Sequence, residues 1–254
     1  MSGRAATRIV IWIAGNKQSL GAFARARFLS SRAGRGKMFA RIVVALWGIL
    51  AAAPLVALAD EAAPSYEALL SQLKSGFTDI DYGQLRDAYA ASRGYDPYFR
   101  GGDDEKALTE SLKDGDCART MNATNRLLES NFTNIAAHVY AASCAQRLND
   151  RSSAQYHRKV AQGLLASIGR SGNGLSPQSA YMVVSVDEEY AFLSAGGYRI
   201  TDQSLVQFGQ HECDAMDVVD GGGAKKTIYF NVDRPWAWLS QKFPPGKKGA
   251  TTGQ

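Results

Sequence analysis

Three observations on the 254-residue sequence predict an α+β fold. Apolar residues recur at spacings of three and four from Tyr66 to Ile168, the period of helices buried along one face. Past Gly169 the pattern changes to short runs rich in β-branched and aromatic residues. Two of those runs flank Asp220-Gly-Gly-Gly223, a strong hairpin signal. The expected architecture is an N-terminal stack of antiparallel helical hairpins, tetratricopeptide-like, over residues 60–169. A small antiparallel β-meander with a short helix follows over 170–243, packed on the helices as one compact domain.

The chain before residue 60 reads as a leader. It holds nine basic residues and no acid, whereas from Asp60 on 20 Lys and Arg stand against 24 Asp and Glu. The overall charge of +5 therefore belongs to the leader, and a mildly acidic body excludes a nucleic-acid footprint. Met38-Phe-Ala-Arg41 makes a positive start, Ile42 to Leu58 an apolar run, and Ala57-Leu-Ala59 the small residues that signal peptidase requires. Cleavage is expected between Ala59 and Asp60, with no retained membrane span, because the run is at the lower limit for a bilayer helix. No cysteine follows the cleavage site, so no lipid anchor is expected. Residues 1–37 are an extended leader or the product of an upstream start codon, Met38 being the first residue in the latter case. The sequence thus points to a periplasmic or secreted protein.

Within the mature chain, Tyr66, Leu70, Leu73 and Phe77 mark a first helix, and Asp79 or Asp81 caps a second through Leu85, Ala88 and Tyr89. Gly94-Tyr-Asp-Pro97 breaks it, and the acids Asp103 to Glu105 open a third through Leu108 and Leu112. Helices over Cys117–Glu129 and Thr133–Leu148 form a hairpin about Asn131. Residues whose numbers sum to 261 face one another across it, which sets Cys117 against Cys144. Alanines 136, 137, 141 and 142 keep the second helix thin. A Cys117–Cys144 disulfide is expected, contributing about 3 kcal/mol through its loop; the alternative is two small reduced residues at a tight crossing. Cys213 is left over, an odd thiol in the C-terminal half. Asn149-Asp150 opens another helix with Ala154, His157, Ala161, Leu164 and Ile168 on one face. No second copy lies at the tetratricopeptide offset of about 34 residues, so the stack is short and irregular.

Ser171-Gly-Asn-Gly174 is a tight loop, and Ser176 with Pro177 starts a helical turn. Tyr181–Val186 reads as a buried strand, with Asp187 capping a short helix over Glu188–Ser194 that stops at Gly196-Gly197. Strand-like runs cover Tyr198–Phe208, His211–Val219 and Lys225–Val232. Pro235-Trp-Ala-Trp238-Leu packs a terminal turn on the core, and residues 244–254 form a disordered tail.

The stretch from Tyr156, YHRKVAQGLLASIGRSGNGLSPQSAYMVVSVDEEYAFL, is followed by Gln203-Ser-Leu205 and KKTIYFNVDRPWAWL and preceded by LRDAYAASRGYDPY. Together they resemble an uncharacterised bacterial family, the domain of unknown function numbered 4919, over about residues 66 to 239. The resemblance implies export, helices first and a strand-rich end, and implies no activity. Asn173 stands where the family's loop favours Asp, which weakens a metal reading of that loop.

Each chemical candidate has a plain structural alternative. Asp187, Glu188 and Glu189 could supply a general acid and base or cation ligands, or else be an acid-rich helix start. Glu188 or Glu189 is the first choice for a polar site. His157 lies on an apolar stripe and could join them, or be a core histidine bonded to a carboxylate. His138 and His211 lack partners at metal-ligand spacing. Gly172, Asn173 and Gly174 could cradle an anion with their N–H groups, or simply turn the chain. Tyr95, Tyr98 and Phe99 with Trp236 and Trp238 could stack a sugar or peptide, or staple a turn. Asn231 and Asp233 could be ligands, or satisfy turn backbone. HExxH, CxxC, P-loop and GxSxG motifs are all missing, and no cofactor or metal is expected. The reading that follows is a non-enzymatic module binding a peptide or envelope protein. The alternative is an envelope hydrolase, or a small-ligand or metal-binding protein, with an acidic pocket around Glu188 and Glu189.

Overall fold

A computed structural model describes residues 63–98 and 102–243, all within one compact unit. The expected leader with its expected Ala59/Asp60 cleavage site, Phe99, and the expected tail over 244–254 lie outside the described residues. Six helices come first: α1 Tyr66–Lys74, α2 Tyr82–Ala91, α3 Gly102–Asp114, α4 Cys117–Ser130, α5 Ile135–Arg147 and α6 Arg151–Arg170. Five of them begin on a side-chain cap, supplied by Ser65, Asp81, Asp116, Asn134 and Asp150, each accepting a backbone N–H of the first turn. Asp81, not Asp79, caps α2. Helix α1 stops a turn earlier than its apolar spacing suggests, at Lys74, so Phe77 lies outside it and is 54% exposed.

The α4/α5 hairpin forms as its register implies. Ala137, Ala141, Ala142 and Ala145 are buried in α5, so the two axes approach closely. Cys117 and Cys144, with Cα atoms 4.9 Å apart, are disulfide-bonded, one at the start of α4 and the other near the end of α5. Cys213 is the buried free thiol.

After the 3-10 turn Pro177–Ser179 come β1 Tyr181–Met182, α7 Val186–Ala195, β2 Arg199–Phe208, β3 His211–Val219, β4 Lys225–Asn231 and α8 Asp233–Lys242. Strands β2, β3 and β4 form the antiparallel meander, and β1 joins β4 in parallel, giving the order β1-β4-β3-β2. The buried strand expected over Tyr181–Val186 is corrected to two residues. Val184, though buried, gives its N–H to Glu188 and its carbonyl to the Tyr95 hydroxyl, so it has no groups left for a ladder. Helix α7 starts at Val186, one residue before the expected cap, which places Asp187 in its first turn. The terminal turn is a ten-residue helix, α8.

One apolar core runs through both halves, from Leu69, Leu85, Leu127 and Leu164 in the helices to Met216, Ile228 and Phe230 in the sheet.

Candidate functional site

The two glutamates of α7 leave the helix toward different neighbours. Glu188 meets Arg86 of α2 in a bidentate pair, Nε to Oε1 and Nη2 to Oε2 at 2.7 Å each, with both side chains at most 5% exposed. Glu188 Oε2 also accepts the Val184 N–H at 2.8 Å, and Arg86 donates to the Met182 carbonyl and to Ser167 Oγ. The carboxylate and the guanidinium therefore tie α2, α6, the segment after β1 and α7 together.

Glu189 is fully buried, and neither of its oxygens makes a hydrogen bond of ordinary geometry. Its neighbour is Asp214 of β3. Asp214 lies opposite Phe230 and two residues from Met216, so it points into the apolar face of the sheet. Burial first, then the Asp214 carboxylate by its charge and as acceptor for the acid's proton, push Glu189 up to about 10. Glu188 and Asp187 add to the same shift. Glu189 is thus a neutral acid at ordinary pH. Asp214 is held from its other side by Gln203 Nε2 at 2.7 Å, and Gln203 Oε1 accepts from the Tyr190 hydroxyl at 2.7 Å. Asp214 and Glu189 also raise Tyr98, after burial.

The remaining candidates lie elsewhere. His157 is 8% exposed, and its partner is His138, not a carboxylate, with the two Nδ1 atoms 2.9 Å apart. His138 Nε2 faces the Phe132 carbonyl, which can only accept, so Nε2 carries the proton and Nδ1 accepts from His157 Nδ1–H. Burial, then the His157 charge, lower His138 to about 3. Asn231 and Asp233 satisfy the β4–α8 corner. Asn231 donates to Asp233 at 2.9 Å, Asp233 N–H returns to Asn231, and Asp233 also holds the Glu212 N–H and His211. In the 171–174 loop the N–H groups of Asn173 and Gly174 both point at the Ser179 carbonyl, which occupies the place of an anion. Gly174 has a φ of +66°, and a Cβ there would sit 2.4 Å from the Tyr181 ring, while one at Gly172 would strike the Ala180 carbonyl. Trp238 donates to the Tyr95 carbonyl at 3.0 Å and packs tilted on Tyr98, ring centroids 5.8 Å apart, whereas Trp236 is 40% exposed.

Glu188 and Glu189 therefore share a helix with Asp187, but His157, Asn231 and the glycine loop do not converge on them. Among the described residues no group of three or more His, Cys, Asp or Glu is placed to hold a metal ion, and no helix is long and apolar enough to cross a membrane.

The family defined as Domain of unknown function (DUF4919) matches residues 58–240. The chain belongs to it. No curated protein and no solved structure matches the chain. In this DUF4919 chain the stretches that carry the likeness meet at one place. LRDAYAASRGYDPY supplies Arg86 and Tyr95, VSVDEEYAFL supplies Val184 and Glu188, and KKTIYFNVDRPWAWL supplies Trp238. Arg86 bonds Glu188, Tyr95 bonds the Val184 carbonyl, and Trp238 bonds Tyr95.

Two residues escaped the sequence reading although each left a signal. Arg86 directly follows Leu85 and precedes Tyr89 by three, so it stands on the buried stripe of α2. Asp214 alternates with Met216 and Val218, an acid in an apolar period of two.

The outer surface of α7 borders a cleft of about 340 Å³ against α3 and α5. Leu108, Leu112, Ala136, Tyr140 and Ala191 give it apolar walls, and Glu105 and Asp187 stand among its lining residues as acids.

Proposed function

We propose that this DUF4919 protein is an exported, non-enzymatic interaction module of the bacterial envelope that receives a peptide segment of a partner protein in the α3/α5/α7 cleft. The observation that carries the reading is the separation of the two faces of α7. Glu188 and Glu189 point inward and meet Arg86 and Asp214, while Asp187, Tyr190, Ala191 and Ser194 line an open cleft on the other face. Helical stacks commonly use such concavities for extended partners, an analogy at the level of fold. The leader sequence and the Cys117–Cys144 disulfide support export, since such bonds persist in oxidising compartments.

A photo-crosslinking residue at Ala136, on the cleft, tests this in the native host. A discrete protein adduct is expected there, absent when the same residue replaces exposed Gln155 on α6. Equal labelling at both positions, or none at either, would remove the cleft from consideration.

A second reading, an envelope hydrolase, has one observation behind it. Glu189 keeps its proton beside Asp214, an acid and a carboxylate side by side. Against it, Glu189 is fully buried and lines neither the α3/α5/α7 cleft nor the cleft at the start of α1.

A further inference from the structure

The two edges of the sheet are built differently. β1 closes one edge with two residues, too few to receive another strand. β2 closes the other with ten, Arg199–Phe208, bonded to β3 on one side and, among the described residues, to no strand on the other. A strand of that length runs about 34 Å and turns about half of its N–H and C=O groups outward. Eight of the ten residues are exposed, and among the described residues neither a helix nor a loop lies along the outer edge of the strand, α7 reaching only its Gln203 side chain through Tyr190. Monomeric proteins blunt long edges with Lys, Pro or extreme brevity. RITDQSLVQF contains neither Lys nor Pro, its one irregularity lies between Ile200 and Asp202 at its start, and it presents Leu205 and Phe208 at 46% and 39% exposure.

We propose that β2 is a dimerisation strand, pairing antiparallel with β2 of a second copy of this chain about a twofold axis near Ser204 and joining two four-stranded sheets into one of eight. An antiparallel edge is complementary to itself, because a twofold axis brings each outward donor to the matching acceptor of the other copy. The side chains agree. With the axis at Ser204, Leu205 meets Gln203 of the second copy and Asp202 meets Val206 of the second copy, so no like charges lie opposite. Arg199, the only base of the strand, reaches the β2–β3 turn of the second copy, which leads into the acid Glu212. The strand is neutral as a whole, so two copies approach without repulsion. This pairing uses the sheet edge alone and stands whether or not the α3/α5/α7 cleft binds a peptide.

Light scattering behind size-exclusion chromatography, on protein purified as its host accumulates it, gives the first result. The mass of a dimer is expected, falling to that of a monomer in Leu205→Lys at an unchanged melting temperature. A Ser204→Cys variant adds a geometric check that does not depend on dissociation. Non-reducing gels should show a cross-linked pair for Ser204→Cys, which lies on the axis, and none for Gln178→Cys, an exposed control away from the edge. A monomeric wild-type protein overturns the proposal. So does a dimer that survives Leu205→Lys, or one in which Ser204→Cys does not cross-link.

Discussion

At the scale of single residues, Glu189 is the group whose state depends most on its surroundings. In an unfolded chain it ionises near 4.5, and in the fold near 10. Between those values the folded protein binds a proton that the unfolded chain does not, so stability falls as pH rises through this window. The fall is up to about 1.4 kcal/mol per pH unit. Glu189→Gln keeps the shape of the neutral acid, offers an amide hydrogen toward Asp214 and cannot ionise. Urea unfolding should therefore show Glu189→Gln gaining on the wild type steadily from pH 5 to pH 9. Parallel pH profiles for the two proteins would mean that Glu189 is already ionised in the fold. The acid itself was legible in the sequence as part of the densest acidic cluster. Its partner was not, because Asp214 and Glu189 are 25 residues apart and meet only where α7 packs on the sheet.

At the scale of elements, α7 is held by charge as much as by packing. Its ten residues bury Leu193 on the apolar side, yet its N-terminal half is fixed by the Arg86–Glu188 pair. Removing one member of a buried pair strands the other, a loss of about 3–5 kcal/mol. Arg86→Ala should reach that range in chemical denaturation, whereas the double variant Arg86→Met with Glu188→Leu should lose much less. If the double variant is as unstable as the single one, the loss comes from packing and not from a stranded carboxylate. The same junction explains the shortness of β1. A residue's ladder groups are its N–H and C=O, and at Val184 both are claimed by the side chains of Glu188 and Tyr95. β-branched composition announces a strand, but it cannot foresee a competing side chain from 89 residues earlier.

At the scale of the whole molecule, one core and one covalent link make helices and sheet a unit. The disulfide closes α4 on α5 at the end of the hairpin away from its turn, and the Leu69-to-Val232 core carries the packing from α1 to the start of α8. Intact mass and thiol counting on protein from the native envelope fraction test the export reading and the link together. A chain beginning at Asp60 with one reactive thiol after unfolding, that of Cys213, is expected. A chain that retains residues before Asp60 and carries three free thiols would remove the envelope assignment.

The sequence by itself determined what depends on neighbours within a few turns. The α+β order, the capped helices, the hairpin that joins Cys117 to Cys144 and the β2–β4 meander all follow from periodicity, caps and turns acting over short range. The membership in a family of unknown function was legible for the same reason, as an ordered series of short motifs. Only the tertiary structure decided which candidate residues belong together. His157 turns to His138, Asn231 to Asp233, Glu188 to Arg86 and Glu189 to Asp214, each pairing set by where an entire element lies in three dimensions. A buried polar group takes whichever partner the packing brings within reach, and that choice is made by the whole fold at once.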